Sequence, residues 1–140
     1  MTFTENERKY LNHQPLGRLA TRRFDGTLQN NPVGFSLHDS TGAIDITGRA
    51  LSATRKFANI ADNHQVALVV DDLVSRNPWT VRGIEIRGTA QAMTGHQSSS
   101  NYPSDEIIRI TPHRVISWGL DGDGMRARNV APTDADRSTV

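Results

Sequence analysis

At 140 residues the chain has the size of one domain with one modest hydrophobic core. Its 16 Lys and Arg residues nearly balance its 15 Asp and Glu residues, which disfavours a nucleic-acid binder that depends on a large positive field. The absence of cysteine excludes disulfides, thiolate catalysis and cysteine metal sites. Residues 66–70, the longest compact apolar run, are far too few to cross a membrane, and residues 1–7 contain no apolar signal region. We therefore expect a cytoplasmic protein.

The first part of the chain predicts a helix and a hairpin. Thr4 and Glu7 have the spacing of a capping box, so a short helix is expected to begin there. Residues 16–23 and 27–37 flank an Asp-Gly turn and are expected to pair as two strands. Pro32 inside the second strand predicts a sheet edge or a bulge at that position.

The middle of the chain predicts one interior helix between two strands. Residues 52–61 place apolar side chains at helical spacing, with Ser52 or Thr54 as the N-cap. Alternation at residues 44–47 predicts a half-buried strand before this helix. Residues 65–70 are apolar without alternation, which predicts a strand covered on both faces.

The remaining sequence completes a mainly β domain. Further strands are predicted at residues 79–92, 107–110 and 114–118. Turns or loops are predicted at Asp71-Asp72, at residues 95–105 and at residues 121–124. We expect one domain over residues 1–130, followed by a disordered polar tail at residues 131–140. Six to seven antiparallel strands, with a short N-terminal helix and one interior helix, indicate a barrel-like or sandwich-like architecture.

The first candidate site lies where the strand at residues 44–47 gives way to the interior helix. The strand ends at Thr47 and Gly48, and Arg55, Lys56 and Asn59 follow in the first turns of the helix. A helix N-terminus offers free backbone N–H groups and a partial positive charge, and the two adjacent cations suit a phosphate. The alternative is a solvated helix face that carries Arg and Lys without a ligand.

The second candidate site lies near the C-terminus. Trp118 ends a predicted strand and precedes Arg126 and Arg128, so it could stack on a planar ring while an arginine pairs with an anion. The alternative is a tryptophan that belongs to the core. The five histidines lack metal-ligand spacing, and no nucleophile with its base is apparent. This scarcity of catalytic groups fits a protein whose cofactor performs the chemistry.

Taken in chain order, these predicted elements and motifs resemble the pyridoxamine 5′-phosphate oxidase-like split β-barrel superfamily over residues 16–128. The resemblance rests on residues 46–48 leading into 54–56, on residues 62–64 before 66–70, and on Pro112, Arg114, Trp118 and Arg128. The two positions that hold the substrate phosphate in the pyridoxamine-phosphate oxidases are Gly124 and Arg126 here. Oxidation of vitamin B6 is therefore not expected.

Residues 17–21, 31–35 and 81–88 look like the actinobacterial branch of that superfamily, which uses the deazaflavin coenzyme F420. The resemblance implies a homodimer with cofactor sites at the subunit interface. It also implies a coenzyme F420-dependent reductase that transfers hydride to a conjugated carbon of a small-molecule substrate. The alternatives are an FMN-dependent oxidase or reductase on the same fold and a non-catalytic flavin or deazaflavin carrier.

Roles for individual residues follow from the same resemblance. Lys56 and Arg55 would hold the cofactor phosphate, with Thr47, Gly48 and Asn59 in support. The remaining cofactor-binding candidates are the backbone near Pro32 and Val33, which would lie along the ring, and the side chains of Trp79, Trp118 and Arg128. No metal site, membrane contact or nucleic-acid partner is expected. The sequence singles out neither a catalytic side chain nor a particular substrate.

Overall fold

The computed structural model describes residues 2–38, 41–47, 54–93 and 106–130. Two helices lie within these residues, α1 (Glu5–His13) and α2 (Arg55–Asp62), and neither is long and apolar enough to span a membrane. In chain order the eight described strands are β1 (Gly17–Arg22), β2 (Leu28–Val33), β3 (Phe35–Leu37), β4 (Ile44–Thr47), β5 (Gln65–Arg76), β6 (Trp79–Met93), β7 (Ile107–Trp118) and β8 (Met125–Asn129).

Helix α1 begins at the capping box that the sequence predicts. The backbone N–H of Glu7 donates to Thr4 Oγ1 at 3.2 Å, and the backbone N–H of Thr4 donates to Glu7 Oε1 at 2.9 Å. Two of the N–H groups that every helix start leaves unpaired are thereby satisfied. The helix buries Glu7, Tyr10 and Leu11, so one of its three buried side chains is a carboxylate.

The strands form one antiparallel sheet that curls into a half-barrel. Its order is β2-β1-β5-β6-β7-β4-β3, and β8 adds to β7. Strand β7 has room for three neighbours because its first half pairs with β4 and its second half with β8, while β6 lies along its other edge. Register shifts at Leu73/Ser75 and at Arg87/Gly88 add local twist to the long central strands.

The inner face of the curled sheet holds the hydrophobic core. Alternate residues of each strand point inward, and the largest of them are fully buried: Leu19, Ile44, Ile46, Leu68, Ile84, Ile86, Ile108 and Ile110. Leu11 of α1 and Ile60 of α2 join them. Burying one such side chain favours folding by roughly 1.5–3 kcal/mol relative to its exposed state. The two helices are therefore bound to the sheet mainly by apolar contact.

The opposite side of the sheet carries the residues between these inward positions. Strand pairing gives two rows, one across six strands and one across four, which together we call the outer face. The first row is Pro32, Arg18, Val69, Glu85, Ile116 and Ala127, and the second is Asp71, Gly83, Trp118 and Met125. Val69, Ile116 and Trp118 are only partly buried, although each is apolar. The outer face thus presents apolar groups that a single chain leaves accessible.

Strand β5 differs from its prediction in two respects. Val66, Leu68 and Val70 are buried, whereas Val69 is only partly buried, so the prediction of cover on both faces is wrong for the single chain. The strand also continues through the predicted turn at Asp71-Asp72 to Arg76.

The continuation of β5 has an electrostatic reason. Arg18 Nη1 lies 2.9 Å from Asp71 Oδ1. The guanidinium of Arg82 donates to both carboxylate oxygens of Asp72, at 2.9 and 3.2 Å. Cross-strand pairing of opposite charges stabilises a sheet, and here it supports two adjacent aspartates that strand propensity alone disfavours.

Other elements confirm or refine their predictions. Strand β2, which contains Pro32, lies at the edge of the sheet as predicted. The two strands predicted at residues 107–110 and 114–118 are one continuous strand, β7. Two differences bring the described strands to eight instead of six or seven. The predicted strand at residues 27–37 is two strands, β2 and β3, which lie at opposite ends of the sheet order, so that prediction is wrong. Strand β8 was not predicted, because its sequence lacks alternation. The predicted loop at residues 95–105 and the predicted tail at residues 131–140 lie outside the described residues.

Candidate functional site

The predicted phosphate site lies at the start of α2. Thr54 is the N-cap, as one of the two predicted possibilities, and its Oγ1 accepts from the backbone N–H of Phe57 at 3.3 Å. Arg55 and Lys56 are the first two helical residues, and the first turn contains no acidic side chain. Within the described parts of the chain, neither cation forms an ion pair. Thr47 ends β4 opposite Ile107, whereas Gly48 lies outside the described residues.

Asn59, three residues after Lys56, joins α2 to the sheet. Its side chain is buried, and Nδ2 donates to Thr21 Oγ1 and to Gln29 Oε1, both at 3.0 Å. Thr21 on β1 and Gln29 on β2 pair across the strands, so one amide fixes the helix to both. In the single chain Asn59 therefore positions the helix that carries the cations. Thr21 and Gln29 were missed in the sequence, where only their inward position on predicted strands could have pointed to them.

Three other predicted residues lie on or beside the outer face. Pro32 pairs with Arg18 at the sheet edge, and Trp118 pairs with Gly83. Trp79, which starts β6 at the tip of the β5–β6 hairpin, is 71% exposed. Successive side chains of a strand alternate between faces, so Trp79, four residues before Gly83, points to the same side as Trp118.

Val33 and Arg128 point to the inner side instead. The side chain of Val33 is buried in the core. Arg128 donates through Nη1 to Glu7 Oε2 at 2.9 Å and through Nη2 to Glu7 Oε1 and to the backbone carbonyl of Thr2. Because this guanidinium is already engaged with the start of the chain, the predicted contact between Arg128 and a cofactor stays a prediction.

The pKa of Glu7 reflects this pairing. Burial raises the pKa of the carboxyl, but the hydrogen bonds from Arg128 and from the backbone of Thr4 outweigh burial and bring it below the ordinary value of glutamate. Glu7 is therefore ionised at neutral pH, although its side chain is inaccessible to water. The sequence signal for Glu7 was its place in the capping box, which did not reveal the arginine partner 121 residues later.

A second polar cluster, also missed in the sequence, joins α1 to the ends of β5 and β6. The hydroxyl of Tyr10 donates to Asp72 Oδ1 at 2.6 Å, and the guanidinium of Arg82 lies 5.1 Å from the centre of the Tyr10 ring. Burial, and then the hydrogen bond to the Asp72 carboxylate, raise the pKa of Tyr10 far above its ordinary value. Tyr10 is consequently a poor proton donor.

Two clefts lie beside residues described above, one next to Tyr10 and Arg82 and the other next to Trp118. One, of about 350 Å³, lies between α1, Arg82 and the turn after β7. The other, of about 140 Å³, is lined by Trp118 and by the connection from β7 to β8. Both share Gly119 and Leu120, so the turn after Trp118 separates one cleft from the other.

The predicted site residues thus fall into separate groups in one chain. Asn59, on the helix that begins with Arg55 and Lys56, contacts Thr21 near the end of β1. Trp118 lies instead in the outer-face row that contains Gly83 and Asp71. Trp118 is also three strands away from β1 across the sheet. A ligand that contacted both groups would need either great length or a second copy of the chain.

A curled antiparallel sheet with a helix that follows its fourth strand and begins with two cations defines a split β-barrel. The sequence model described as pyridoxamine 5′-phosphate oxidase matches residues 3–119. The chain belongs to this family.

A comparison with characterised proteins indicates the class of enzyme to which this chain belongs. A 5a,11a-dehydrotetracycline/5a,11a-dehydrooxytetracycline reductase of Streptomyces rimosus subsp. rimosus is 45% identical over 141 aligned positions, which cover 98% of this chain and 99% of the relative. Because this match to a reductase extends over both proteins almost from end to end, the chain is an oxidoreductase.

Solved structures share the fold at lower identity. An F420 reductase superposes with a TM-score of 0.62 at 24% identity, covering 81% of this chain and 98% of that structure. A conserved hypothetical protein of Mycobacterium tuberculosis gives a TM-score of 0.67 at 20% identity, covering 92% of each chain. General stress protein 26 of Bacillus anthracis gives 0.66 at 17% identity, covering 93% of this chain and 100% of that structure.

Proposed function

We propose that this protein is a coenzyme F420-dependent reductase that saturates a carbon–carbon double bond conjugated to a carbonyl in a small multi-ring substrate. The observation that carries the proposal is the 45% identity, over nearly the full length of both chains, to a reductase of 5a,11a-dehydrotetracyclines. A dehydro compound differs from its parent by one additional double bond, so its reduction is the chemistry that the proposal transfers to this chain.

The start of α2 fits the phosphate of such a cofactor. Positive side chains at a helix N-terminus oppose the helix dipole, typically at a cost of about 0.3–1 kcal/mol each. Arg55 and Lys56 occupy the first two helical positions with no acidic residue in that turn. A bound phosphate would relieve the repulsion and accept hydrogen bonds from both side chains and from the free backbone N–H groups. Thr47 and Gly48 would approach the same phosphate from the end of β4.

The separation of the candidate groups favours a homodimer. Arg55 and Lys56 lie apart from Trp79 and Trp118 in one chain, and the outer face leaves Val69 and Ile116 accessible. Two copies that paired through their outer faces would bury these apolar groups and would bring the tryptophans of one copy toward the helix of the other. A cofactor bound between the copies would then contact both groups at once.

The arginines available for an acidic tail also favour the deazaflavin over FMN. Coenzyme F420 carries carboxylates beyond its phosphate, and Arg55 and Arg126 are exposed cations without an ion pair in the described residues. Arg128, a further cofactor-binding candidate, is engaged by Glu7 in the single chain. Because Arg55 is assigned to the phosphate, Arg126 is the arginine that we assign to the tail.

The chain contributes binding, orientation and exclusion of water. When bound, the reduced deazaflavin supplies a hydride to one carbon of the double bond, while the other carbon takes a proton. Lys56 and Arg55 would fix the cofactor through its phosphate, and the backbone beside Pro32 and Val33 would border its ring. Trp79 and Trp118 would cover the ring with apolar surface and keep water from the reacting carbon. Tyr10 is not assigned to the proton because its hydroxyl is held by Asp72.

The experiment that tests this proposal is a titration followed by turnover. Coenzyme F420 and FMN are each titrated into the purified protein, and binding is followed by absorbance and light scattering. We expect micromolar or tighter binding of F420, weaker binding of FMN, and oxidation of reduced F420 on addition of a dehydrotetracycline or another cyclic enone. Preferential binding of FMN would refute the cofactor assignment. Tight F420 binding without turnover on any enone or quinone would identify a carrier instead.

A further inference from the structure

Trp118 lies over a residue that has no side chain. Gly83 on β6 pairs with Trp118 on β7, and both belong to the outer face. A Cβ atom placed on Gly83 would lie 2.7 Å from Cζ2 of Trp118, and 2.8 Å from both Cβ of Asp71 and the backbone carbonyl oxygen of Val70. Carbon atoms at ordinary contact are about 3.5–4.0 Å apart. The indole therefore takes up space that a side chain at position 83 would require, and it is the nearest of the three groups there.

The residue after Trp118 is fixed by the same strand. Gly119 has a φ of +70°, a conformation that glycine adopts readily. A Cβ atom there would lie 2.7 Å from the backbone carbonyl oxygen of Val81. The chain thus turns tightly against β6 directly after Trp118, and two glycines set the position of one indole.

The surroundings of Trp118 on the outer face are open and largely apolar, and the carboxylate of Glu85 in the next row is paired with Arg87. Val81 is 43% exposed, Met125 is 70% exposed, and Trp79 projects to the same side. The carboxylate of Asp71, the nearest charged group in this row, is paired with Arg18. An indole that rests on the sheet in such a setting offers its remaining surface to another planar ring, since aromatic pairs stack favourably beyond their area of contact.

We propose that Gly83 is a positioning residue for ring binding: because it has no side chain, Trp118 lies down on the outer face and forms a platform for the planar ring of the cofactor. The inference deepens the proposed function and rests on it. A side chain at position 83 would lift the indole from the sheet into the space of the bound ring. Gly83 would thus influence cofactor affinity without touching the cofactor.

The test isolates Trp118 spectroscopically. The chain has two tryptophans, so Trp79→Phe leaves Trp118 as the sole indole. In that protein we expect Gly83→Ala to shift the indole emission to longer wavelength, to increase its quenching by acrylamide, and to weaken F420 binding about tenfold. Glu5→Gln, a substitution at an exposed position of α1 away from the outer face, should change none of the three.

A double-mutant cycle separates positioning from general damage. If Gly83 acts through Trp118, Gly83→Ala should change F420 affinity less than twofold in the Trp118→Leu protein. An equal loss in both backgrounds would overturn the inference, because Gly83 would then act through the backbone. Failure of the original protein to bind F420 or FMN would refute the proposed function instead, and the emission and quenching data would still decide whether Gly83 holds the indole.

A further measurement keeps Gly83 intact in case the alanine variant does not fold. The fluorescence anisotropy of Trp118 in the Trp79→Phe protein should decay in one slow component, because an indole clamped on the sheet rotates with the whole molecule. A dominant fast component would show a freely moving indole and would overturn the inference.

Discussion

The buried carboxylate of Glu7 at the start of the chain is bound by the guanidinium of Arg128 near its end. Nη1 of Arg128 lies 2.9 Å from Oε2 of Glu7, and Nη2 donates to the other oxygen. The same carboxylate caps α1 through the backbone N–H of Thr4. One side chain thus joins the first helix, its N-cap and the last strand. When one partner of a buried ion pair is removed, the other is left as an unpaired charge, which strongly destabilises the folded state.

We predict that Glu7→Gln lowers the free energy of unfolding by about 2 kcal/mol, because it removes a charged hydrogen-bond pair and leaves Arg128 unpaired. The measurement is urea denaturation followed by circular dichroism. Glu5→Gln, two residues earlier on an exposed face of α1, is the matched control and should change little. Equal stability of the two variants would contradict a stabilising role of the pair.

The same carboxylate predicts an acid dependence of stability. The pKa of Glu7 is lower in the folded protein than in the unfolded chain, so its contribution is fully present above the unfolded value, near 4.3. Stability is then lost as the pH falls through the lower folded value. We expect the unfolding free energy of the Glu7→Gln variant to fall less steeply than that of the original protein below about pH 4. Parallel curves would exclude Glu7 as a source of the acid sensitivity.

For the phosphate site we predict that Lys56→Ala weakens F420 binding at least tenfold and leaves the fold intact. The lysine has no ion-pair partner in the described residues, so its removal breaks no ion pair among them, while one charged hydrogen bond to phosphate contributes about 1.5–3 kcal/mol. Lys9→Ala, which removes the other lysine of the chain, is the control. Unchanged F420 affinity in a folded Lys56→Ala protein would remove Lys56 from the site.

Asn59 should affect stability and binding together. Asn59→Ala removes the donor of two hydrogen bonds and leaves Thr21 and Gln29 without it, so we predict a loss of about 1–3 kcal/mol in unfolding free energy. Since Asn59 anchors the helix that carries Lys56, F420 affinity should also fall. If affinity fell while stability stayed constant, Asn59 would contact the cofactor directly instead.

Assembly provides the last prediction. Light scattering at micromolar concentration should give about twice the chain mass of 15.5 kDa. Ile116→Lys, which introduces a charge at the centre of the outer face, should yield monomers and abolish tight F420 binding. Phe24→Lys, at an exposed position in the β1–β2 turn, should leave both properties unchanged. A monomer that still bound F420 tightly would contradict a site shared between two copies.

The sequence by itself determined the elements whose signals are local. The capping box of Thr4 and Glu7, the N-cap Thr54 and the edge position of Pro32 follow from backbone hydrogen bonding and proline geometry, which depend on only a few neighbouring residues. The cationic helix start at Arg55 and Lys56 was readable for the same reason. The order of these signals along the chain also sufficed to indicate the family.

The tertiary structure decided everything that depends on partners distant in sequence. Pairing with β6 keeps Asp71 and Asp72 within β5 against their local propensity, and Arg18 and Arg82 form ion pairs with them there. Glu7 binds Arg128 on the inner side of the sheet. Trp118 rests on Gly83 only because β6 and β7 pair in that register. Such relationships arise when strands far apart in the chain become neighbours, and a side chain's charge or size alone does not specify which neighbour it will meet.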